Sequence, residues 1–512
     1  MNVLQTGVSV DRSATAESVA VRTYRSYFAW LLIGVAIAAG ICFRICDLDR
    51  KVFWQDEIDT RCYIAPRNLK VELGYVFSKQ ELLQRVEIDR SKSVVDVTQN
   101  LAYNAAEQLP LYYVVARSWV DMLGDSTLNL RLLSAIFGIA GIAAAYFLGL
   151  ELFENRLAGG FAAALTAVSP FLLNTGGQAR PYSFWTLTLV AASVVLLRTL
   201  KAPTPKRWLG WFAILTVSLY SHLFSLLFLA SVCVWITINR RWSKGFALST
   251  GASLLCVAPW VYMWVDHHTP SDRLVREGLT LWDHLGWFIR LLVRGFLSCK
   301  AVLGSSETVI VVGLFVAAIV IVCRSFSPRC STFLLCLLLV PMAALTVFGQ
   351  YTHQLVLSVD RYDLPSLLAA PYFVVGALFA LSRNRGVIGR TLYAVAAVAF
   401  LGMGLYSCCS DFLTNTWHHR DAQMLQLAEA VNAQPGHLLV TDAPGPELVV
   451  VAGMLKDDAK VMSLETYDLS PTSWTGGYTM AHVQRKGSHN WTAEYYAPGQ
   501  APVSLNQSNF PE

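Results

Sequence analysis

Charge is what this sequence has least of. Only 15% of its 512 residues are Asp, Glu, Lys or Arg, while 54% are hydrophobic. A soluble domain carries about 25% charge. The deficit, with a mean hydropathy of +0.44, excludes an ordinary soluble chain and leaves lipid as the main solvent. Cysteine is scattered through apolar runs. Its count of 11 is odd and none follows Cys409, which argues against a disulfide-framed outer domain. No metal-ligand or redox spacing occurs. Asp266-His267-His268 and His418-His419 bring histidines side by side, and adjacent histidines rarely ligate one ion. Repeats, coiled-coil heptads and a Walker A loop are missing too. The net charge of +5 does not point to nucleic acid; what matters is where the cations lie.

What is present is a series of long apolar runs. A helix needs about 20 mostly apolar residues to cross a bilayer. Runs of that kind lie near 26–45, 130–150, 158–176, 182–199, 208–221, 222–239, 246–265, 304–323, 331–349, 364–382 and 389–409, which predicts an all-α polytopic membrane protein of about eleven spans. The pair 208–239 reads as a tight helical hairpin rather than one long span. Arg12, Arg22 and Arg25 precede the first run, which lacks a small-residue cleavage site and reads as an uncleaved helix. With the N-terminus cytoplasmic, alternate short loops hold Arg156; Arg198, Lys201, Lys206 and Arg207; Arg240, Arg241 and Lys244; Arg324 and Arg329; Arg383, Arg385 and Arg390. Every short loop on that side holds Lys or Arg, the bias that the positive-inside rule counts.

The chain thus divides into a cytoplasmic tail, 1–25; a transmembrane domain, 26–410; and an extracytoplasmic C-terminal segment, 411–512. Within the domain, the first outer loop, 46–129, is too long for a connector. Its stretches Glu81–Asn104 and Gln108–Met122 read as amphipathic helices at the interface, as does Leu281–Ser298. The C-terminal segment opens with a helix-like run, Asp421–Asn432, and a strand-like run, Leu438–Thr441, and later turns rich in Gly, Ser, Asn and Trp. It reads as a small α/β module.

Polar residues gather on the outer face. The first loop opens with Phe53-Trp54-Gln55-Asp56-Glu57-Ile58-Asp59-Thr60. Adjacent side chains cannot converge on one point in a helix or a strand, so Asp56 and Glu57 are not a hydrolase-type dyad. One is a lone base, its neighbour an orienting group or an ion holder; the plainer reading is loop solvation or a helix cap. Between the third and fourth runs stands Gln178-Ala179-Arg180-Pro181-Tyr182. Pro181 suits a helix start. Arg180 at that positive end suits an anion such as phosphate; a snorkelling interface arginine is the alternative. Gln108, Tyr112, Tyr113, Arg131, His222 and the Asp360-Arg361-Tyr362 run fall on the same face.

This arrangement resembles the GT-C superfamily of membrane glycosyltransferases, and within it the branch of protein O-mannosyltransferases and lipid A aminoarabinose transferases. The resemblance covers roughly Trp54 to Leu381. It is carried by Trp54-Gln55-Asp56-Glu57, Leu109-Pro110-Leu111-Tyr112-Tyr113, Arg131-Leu132-Leu133-Ser134, Ala179-Arg180-Pro181-Tyr182-Ser183, Tyr220-Ser221-His222 and Arg361-Tyr362-Asp363-Leu364-Pro365. Many relatives have His-Pro-Pro-Leu-Tyr where this chain has Gln108-Leu109-Pro110-Leu111-Tyr112, so a contact of that His is missing or made by Gln108. The resemblance implies transfer of a sugar from a polyprenyl-phosphate carrier to an acceptor hydroxyl or phosphate outside the cytoplasm. It implies Asp56 and Glu57 as catalytic residues and Arg180, Tyr182, Arg131 and Arg361 as donor-phosphate ligands. Tyr112, Tyr113, His222 and Gln108 are its substrate-binding candidates.

The chemistry agrees with that implication. A polyprenyl phosphate leaves as a phosphate and needs cations more than a general acid, whereas the attacking hydroxyl needs a base. No metal or cofactor requirement can be read from the residues; a divalent cation at Glu57 or Asp59 is left open. The expected partners are the lipid-linked donor, a lipid, protein or glycan acceptor, and membrane lipids. A bacterial inner membrane suits the basic inner loops. Rival readings are a polymerase or ligase using a diphosphate-linked glycan, a secondary transporter, and a non-catalytic assembly protein.

Overall fold

The computed structural model describes residues 12–67, 69–267, 278–298, 306–383, 386–417, 419–433, 438–441, 443, 445–464, 480–486, 490–496 and 503–505. Helices lead: α1 (Arg12–Ile45), α2 (Gln55–Ile64), strand β1 (Val76–Ser78), α3 (Lys79–Gln84), α4 (Val94–Asn104), α5 (Pro110–Leu123) and α6 (Thr127–Phe153). Then come α7 (Arg156–Ala167), α8 (Pro170–Gly177), α9 (Tyr182–Lys201), α10 (Pro205–Ser221), α11 (Ser225–Ile238), α12 (Lys244–His267), α13 (Leu281–Arg294), α14 (Ser306–Ser325) and α15 (Pro328–Thr352). A 3-10 turn over Asp360–Asp363 leads into α16 (Leu364–Leu367), α17 (Ala370–Ser382) and α18 (Val387–Leu413). The C-terminal segment adds α19 (His419–Asn432), β2 (Leu438–Thr441), α20 (Gly445–Met454), β3 (Lys460–Ser463), β4 (Met480–Lys486), β5 (Asn490–Tyr496) and β6 (Val503–Leu505).

Helix starts follow local chemistry. Pro110, Pro170, Pro205 and Pro328 occupy first turns, where a missing N–H costs nothing. The Ser126, Asn155, Thr204 and Ser327 side chains cap α6, α7, α10 and α15 by accepting backbone N–H bonds.

Eight helices among the described residues are long and apolar enough to cross a membrane, and a ninth follows if α7 and α8, bent by 57°, form one span. The chain is an integral membrane protein, but the expected count of eleven is not reached. The shortfall lies in α10 and α11. At 1.5 Å per residue, the 14 residues of α11 extend only about 21 Å, short of a core of about 30 Å. The hairpin expected at 208–239 exists as two helices meeting at His222–Phe224, yet each packs elsewhere. Trp211 of α10 donates to Thr250 of α12 at 3.0 Å, and Trp235 of α11 donates to the Arg329 carbonyl at 3.0 Å. The first helix also starts earlier than expected, at Arg12, with its apolar part at Tyr27–Ile45.

One end of the bundle gathers the basic turns. Glu151 accepts from Arg198 and Lys201 at 2.7 and 3.2 Å, Phe153 meets Phe326 at 4.9 Å, and Asn239 donates to Thr332 at 3.2 Å. At the α7–α8 break, the buried Arg44 of α1 donates to the Ala167 and Thr166 carbonyls at 2.6 and 3.2 Å. It takes up acceptors that a broken helix leaves orphaned. Gly40 permits the approach, since a Cβ there would lie 2.4 Å from the Ala167 oxygen.

At the opposite end the first loop and the C-terminal segment form one layer. Their six-stranded sheet runs β1-β3-β2-β4-β5-β6. Strand β1 from the loop pairs antiparallel with β3, Phe77 opposite Val461, and β2 lies parallel between β3 and β4. Phe77, Leu82, Leu439, Leu448 and Val461 bury together with Ile58 and Cys62 of α2. The stretch 81–104, expected as one amphipathic helix, is divided into α3 and α4. Arg117 of α5 holds the intervening turn by donating to the Asp89 and Lys92 carbonyls at 3.0 and 2.7 Å. Helix α13 buries His284, Phe288 and Leu291 and exposes Leu281 and Trp282, as its amphipathic pattern predicts.

Candidate active site

The site grows from the first turn of α2. The Trp54 N–H donates to Glu57 Oε2 at 3.4 Å, so Glu57 caps the helix from its third position. Glu57 is fully buried against an equally buried Arg131 of α6. Arg131 Nε donates to Oε1 at 2.8 Å and Nη2 to Oε2 at 2.6 Å, a bidentate pair. The remaining guanidinium hydrogens go to the Leu48, Lys51 and Val52 carbonyls at 2.7, 2.9 and 2.8 Å. Glu57 Oε1 also accepts the Ala179 N–H at 2.8 Å. One carboxylate therefore ties α2, α6 and the turn before α9 together.

Asp56, one residue earlier, points elsewhere. Its Oδ2 lies 3.0 Å from an Arg361 guanidinium nitrogen and 3.8 Å from Arg180 Nε. Arg180 also donates to the Asp56 carbonyl at 3.1 Å and to Thr60 Oγ1 at 3.3 Å. Rings flank both cations. Arg361 sits 5.7 Å from the Trp54 and Tyr182 rings, and Arg180 sits 5.7 Å from Tyr182. The Asp56 side chain keeps 13% of its exposure and Arg361 27%, while Oδ2 itself is buried between the two guanidinium groups. Two guanidinium groups on one carboxylate leave a local excess of positive charge, suited to a phosphate.

His222 joins this wall. It stacks on Trp185 with ring centroids 4.0 Å apart and approaches Tyr182 at 6.1 Å. Its Nδ1 accepts the Phe224 N–H at 3.3 Å, which leaves Nε2 to carry the proton. Desolvation, then the charges of Arg180 and Arg361, push His222 down to about 3, so its ring is neutral near pH 7.

Several sequence-based assignments need correction. Glu57 faces away from the Asp56 opening and serves as an anchor. Arg131 is no phosphate ligand here, because its donors are engaged by Glu57 and three carbonyls. Tyr112 and Tyr113 are buried. Their hydroxyls bond to Ser134 at 2.9 Å and to Gln108 at 2.7 Å, so all three side chains brace α5. Asp360 engages Arg294 of α13, while Arg361 reaches Asp56. A divalent cation does not fit at Glu57 or Asp56, since Glu57 is saturated and Asp56 faces two guanidinium groups. Among the described residues no three His, Cys, Asp or Glu side chains gather for a metal. His268 and His418 lie outside the described residues.

Trp417 was not singled out from sequence. It follows α18 and covers Arg131, whose guanidinium carbon lies 5.1 Å from its ring. Arg294 had been noted only as part of an interfacial stretch. Neither carries a motif; Trp417 is brought in by contacts that span hundreds of residues, and Arg294 by its ion pair with Asp360.

Comparison with known proteins completes the description. Residues 108–264, about a third of the chain, match the family model described as dolichyl-phosphate-mannose-protein mannosyltransferase. A search of curated protein sequences finds no match. The oligosaccharyltransferase of Archaeoglobus fulgidus in its apo form is similar in structure with a TM-score of 0.51 at 10% identity, over 88% of this chain and 67% of that one. ArnT from Cupriavidus metallidurans bound to undecaprenyl phosphate gives a TM-score of 0.48 at 14% identity, over 89% and 92% of the two chains. Its apo state gives 0.49 at 13% identity, over 90% and 93%. In fold the chain is similar to the archaeal oligosaccharyltransferase, and its residues 108–264 are similar to the mannosyltransferase family model.

Proposed function

We propose that this protein is an inverting glycosyltransferase that moves a sugar from a polyprenyl-phosphate carrier to an acceptor hydroxyl or phosphate at the extracytoplasmic face of the membrane. The observation that carries the reading is Asp56 held between Arg180 and Arg361. Arg361 and Arg180 bind the carrier phosphate; Tyr182 and Trp54 flank them; His222 walls the sugar side as a neutral ring. The acceptor oxygen attacks the anomeric carbon from the face opposite the phosphate. The carbon–oxygen bond to phosphate breaks, its electron pair stays with the phosphate, and the acceptor proton passes to Asp56. Stereochemistry at that carbon inverts. The basic turns at the far end of the bundle support an outer position for the site under the positive-inside rule, and a bacterial inner membrane fits that charge pattern. The lipid tail remains in the bilayer while the headgroup meets the cations at the rim.

Purified protein in nanodiscs, given labelled polyprenyl-monophosphate sugars and a panel of acceptors, tests the reading. Transfer with inverted anomeric configuration is expected from the wild type. Asp56→Ala should lower turnover by about 10²-fold or more. Wild-type turnover in that variant overturns the assigned base, and use of a diphosphate-linked glycan alone overturns the assigned donor. Lipid analysis of a deletion strain should show the unspent carrier-linked sugar.

A further inference from the structure

The link between the last membrane helix and the C-terminal layer enters the site's framework. The Val52 N–H donates to the Asn415 carbonyl at 2.9 Å, and the Trp417 indole N–H donates back to the Val52 carbonyl at 3.0 Å. That same carbonyl accepts from Arg131 Nη2 at 2.8 Å. The Trp417 ring lies over Arg131 at 5.1 Å and over Lys51 at 4.5 Å. Its far edge rests on Gly177, where a Cβ would come within 2.9 Å of the indole. Arg131 grips Glu57, and Glu57 holds the Ala179 N–H next to Arg180. Trp417 thus touches the clamp at the Val52 carbonyl, at the Arg131 face and at Gly177, three residues before Arg180.

We propose that Trp417 is a positioning residue for transfer: it locks Arg131 onto Glu57 and so fixes the separation between Asp56 and Arg180, making the 411–417 strap a working part of the catalytic framework. A large ring suits this place because cation–π contact desolvates Arg131 without competing for its donors, while the N–H shares a carbonyl that already takes the Arg131 hydrogen. Trp417 does not reach the Asp56 opening, and its effect runs through the clamp. The proposal rests on the assignment of Asp56 and Arg180 to the transfer chemistry.

Two measurements keep the two ideas apart. Hydrogen exchange by mass spectrometry needs no substrate. Trp417→Ala should speed exchange in peptides covering 48–57 and 178–182, because the Ala179 amide loses its fixed acceptor, while α9 peptides beyond 186 stay as in the wild type. Steady-state transfer should then show kcat reduced about 10- to 100-fold with donor KM changed less than about threefold, since misplacement costs turnover more than ground-state binding. Trp417→Phe keeps the ring and deletes the N–H, so an intermediate loss is expected. If Trp417→Ala does not fold, Trp417→Phe decides. Wild-type exchange and wild-type kcat in the folded variant overturn the proposal. Faster exchange in a protein that shows no transfer from any polyprenyl-phosphate sugar upholds the clamp and overturns the proposed function instead.

Discussion

Asp56 and Glu57 are adjacent, and a helix sends adjacent side chains about 100° apart. Glu57 falls on the face toward Arg131 and is buried as half of an ion pair, whereas Asp56 keeps partial access between Arg180 and Arg361. Removing one partner of a buried pair strands the other charge, at a cost of about 3–5 kcal/mol. Glu57→Gln and Arg131→Met should therefore lower the thermal midpoint in detergent sharply. Asp56→Asn should leave it nearly unchanged while abolishing transfer. That contrast separates anchor from base. His222 supplies a pH test. Its folded value of about 3 lies below the ordinary value of about 6.5, so the unfolded chain binds more protons between those limits and stability falls as pH drops below about 6.5. The expected loss approaches about 1.4 kcal/mol per pH unit at most, and His222→Gln should flatten that fall in a melting series from pH 7 to pH 4.

Among the elements, the long helices and one strand were legible in the sequence. Apolar length located the long spans, and Leu438–Thr441 is a strand as its composition suggests. The spacing of Pro181 behind Arg180 placed an arginine at the mouth of α9, and the fold brings that arginine to Asp56. The divided α3–α4 stretch was not legible, because Arg117 pulls the turn at 89–92 together through carbonyls that have no sequence signature. Nor was the fate of Arg131, whose burial depends on four carbonyl or carboxylate partners at residues 48–57. The tether between α13 and the Asp360–Asp363 turn belongs here too. Arg294 meets Asp360, the residue before Arg361, so α13 steadies the turn that presents Arg361. Arg294→Ala and Asp360→Ala should each raise donor KM. A double-mutant cycle on kcat/KM should show coupling of about 0.5–3 kcal/mol; additive effects would show that the tether does not bear on the site.

Across the molecule, the C-terminal segment is structural partner to the long loop that carries Asp56. Ile58 and Cys62 of α2 bury against Leu448, Val449 and their neighbours from the tail. A chain ending after Leu413 keeps Asp56, Arg180 and Arg361, yet leaves one face of α2 bare and β1 without β3. Such a chain should insert into the membrane and still be inactive, with rapid protease cleavage within 50–90 as the readout. Slow cleavage with normal transfer would show that the loop folds unaided.

The pairing of β1 with β3 also sets a schedule. Phe77 lies opposite Val461, so about three quarters of the 512 residues are synthesised between the two. At about 5–20 residues per second the ribosome needs roughly 20–80 s to cover that distance. Throughout that interval the membrane spans are being inserted while the first loop waits, its edge strand unmatched and its apolar floor open. The layer around Asp56 is thus completed late, when β3 arrives to cover a loop made hundreds of residues earlier.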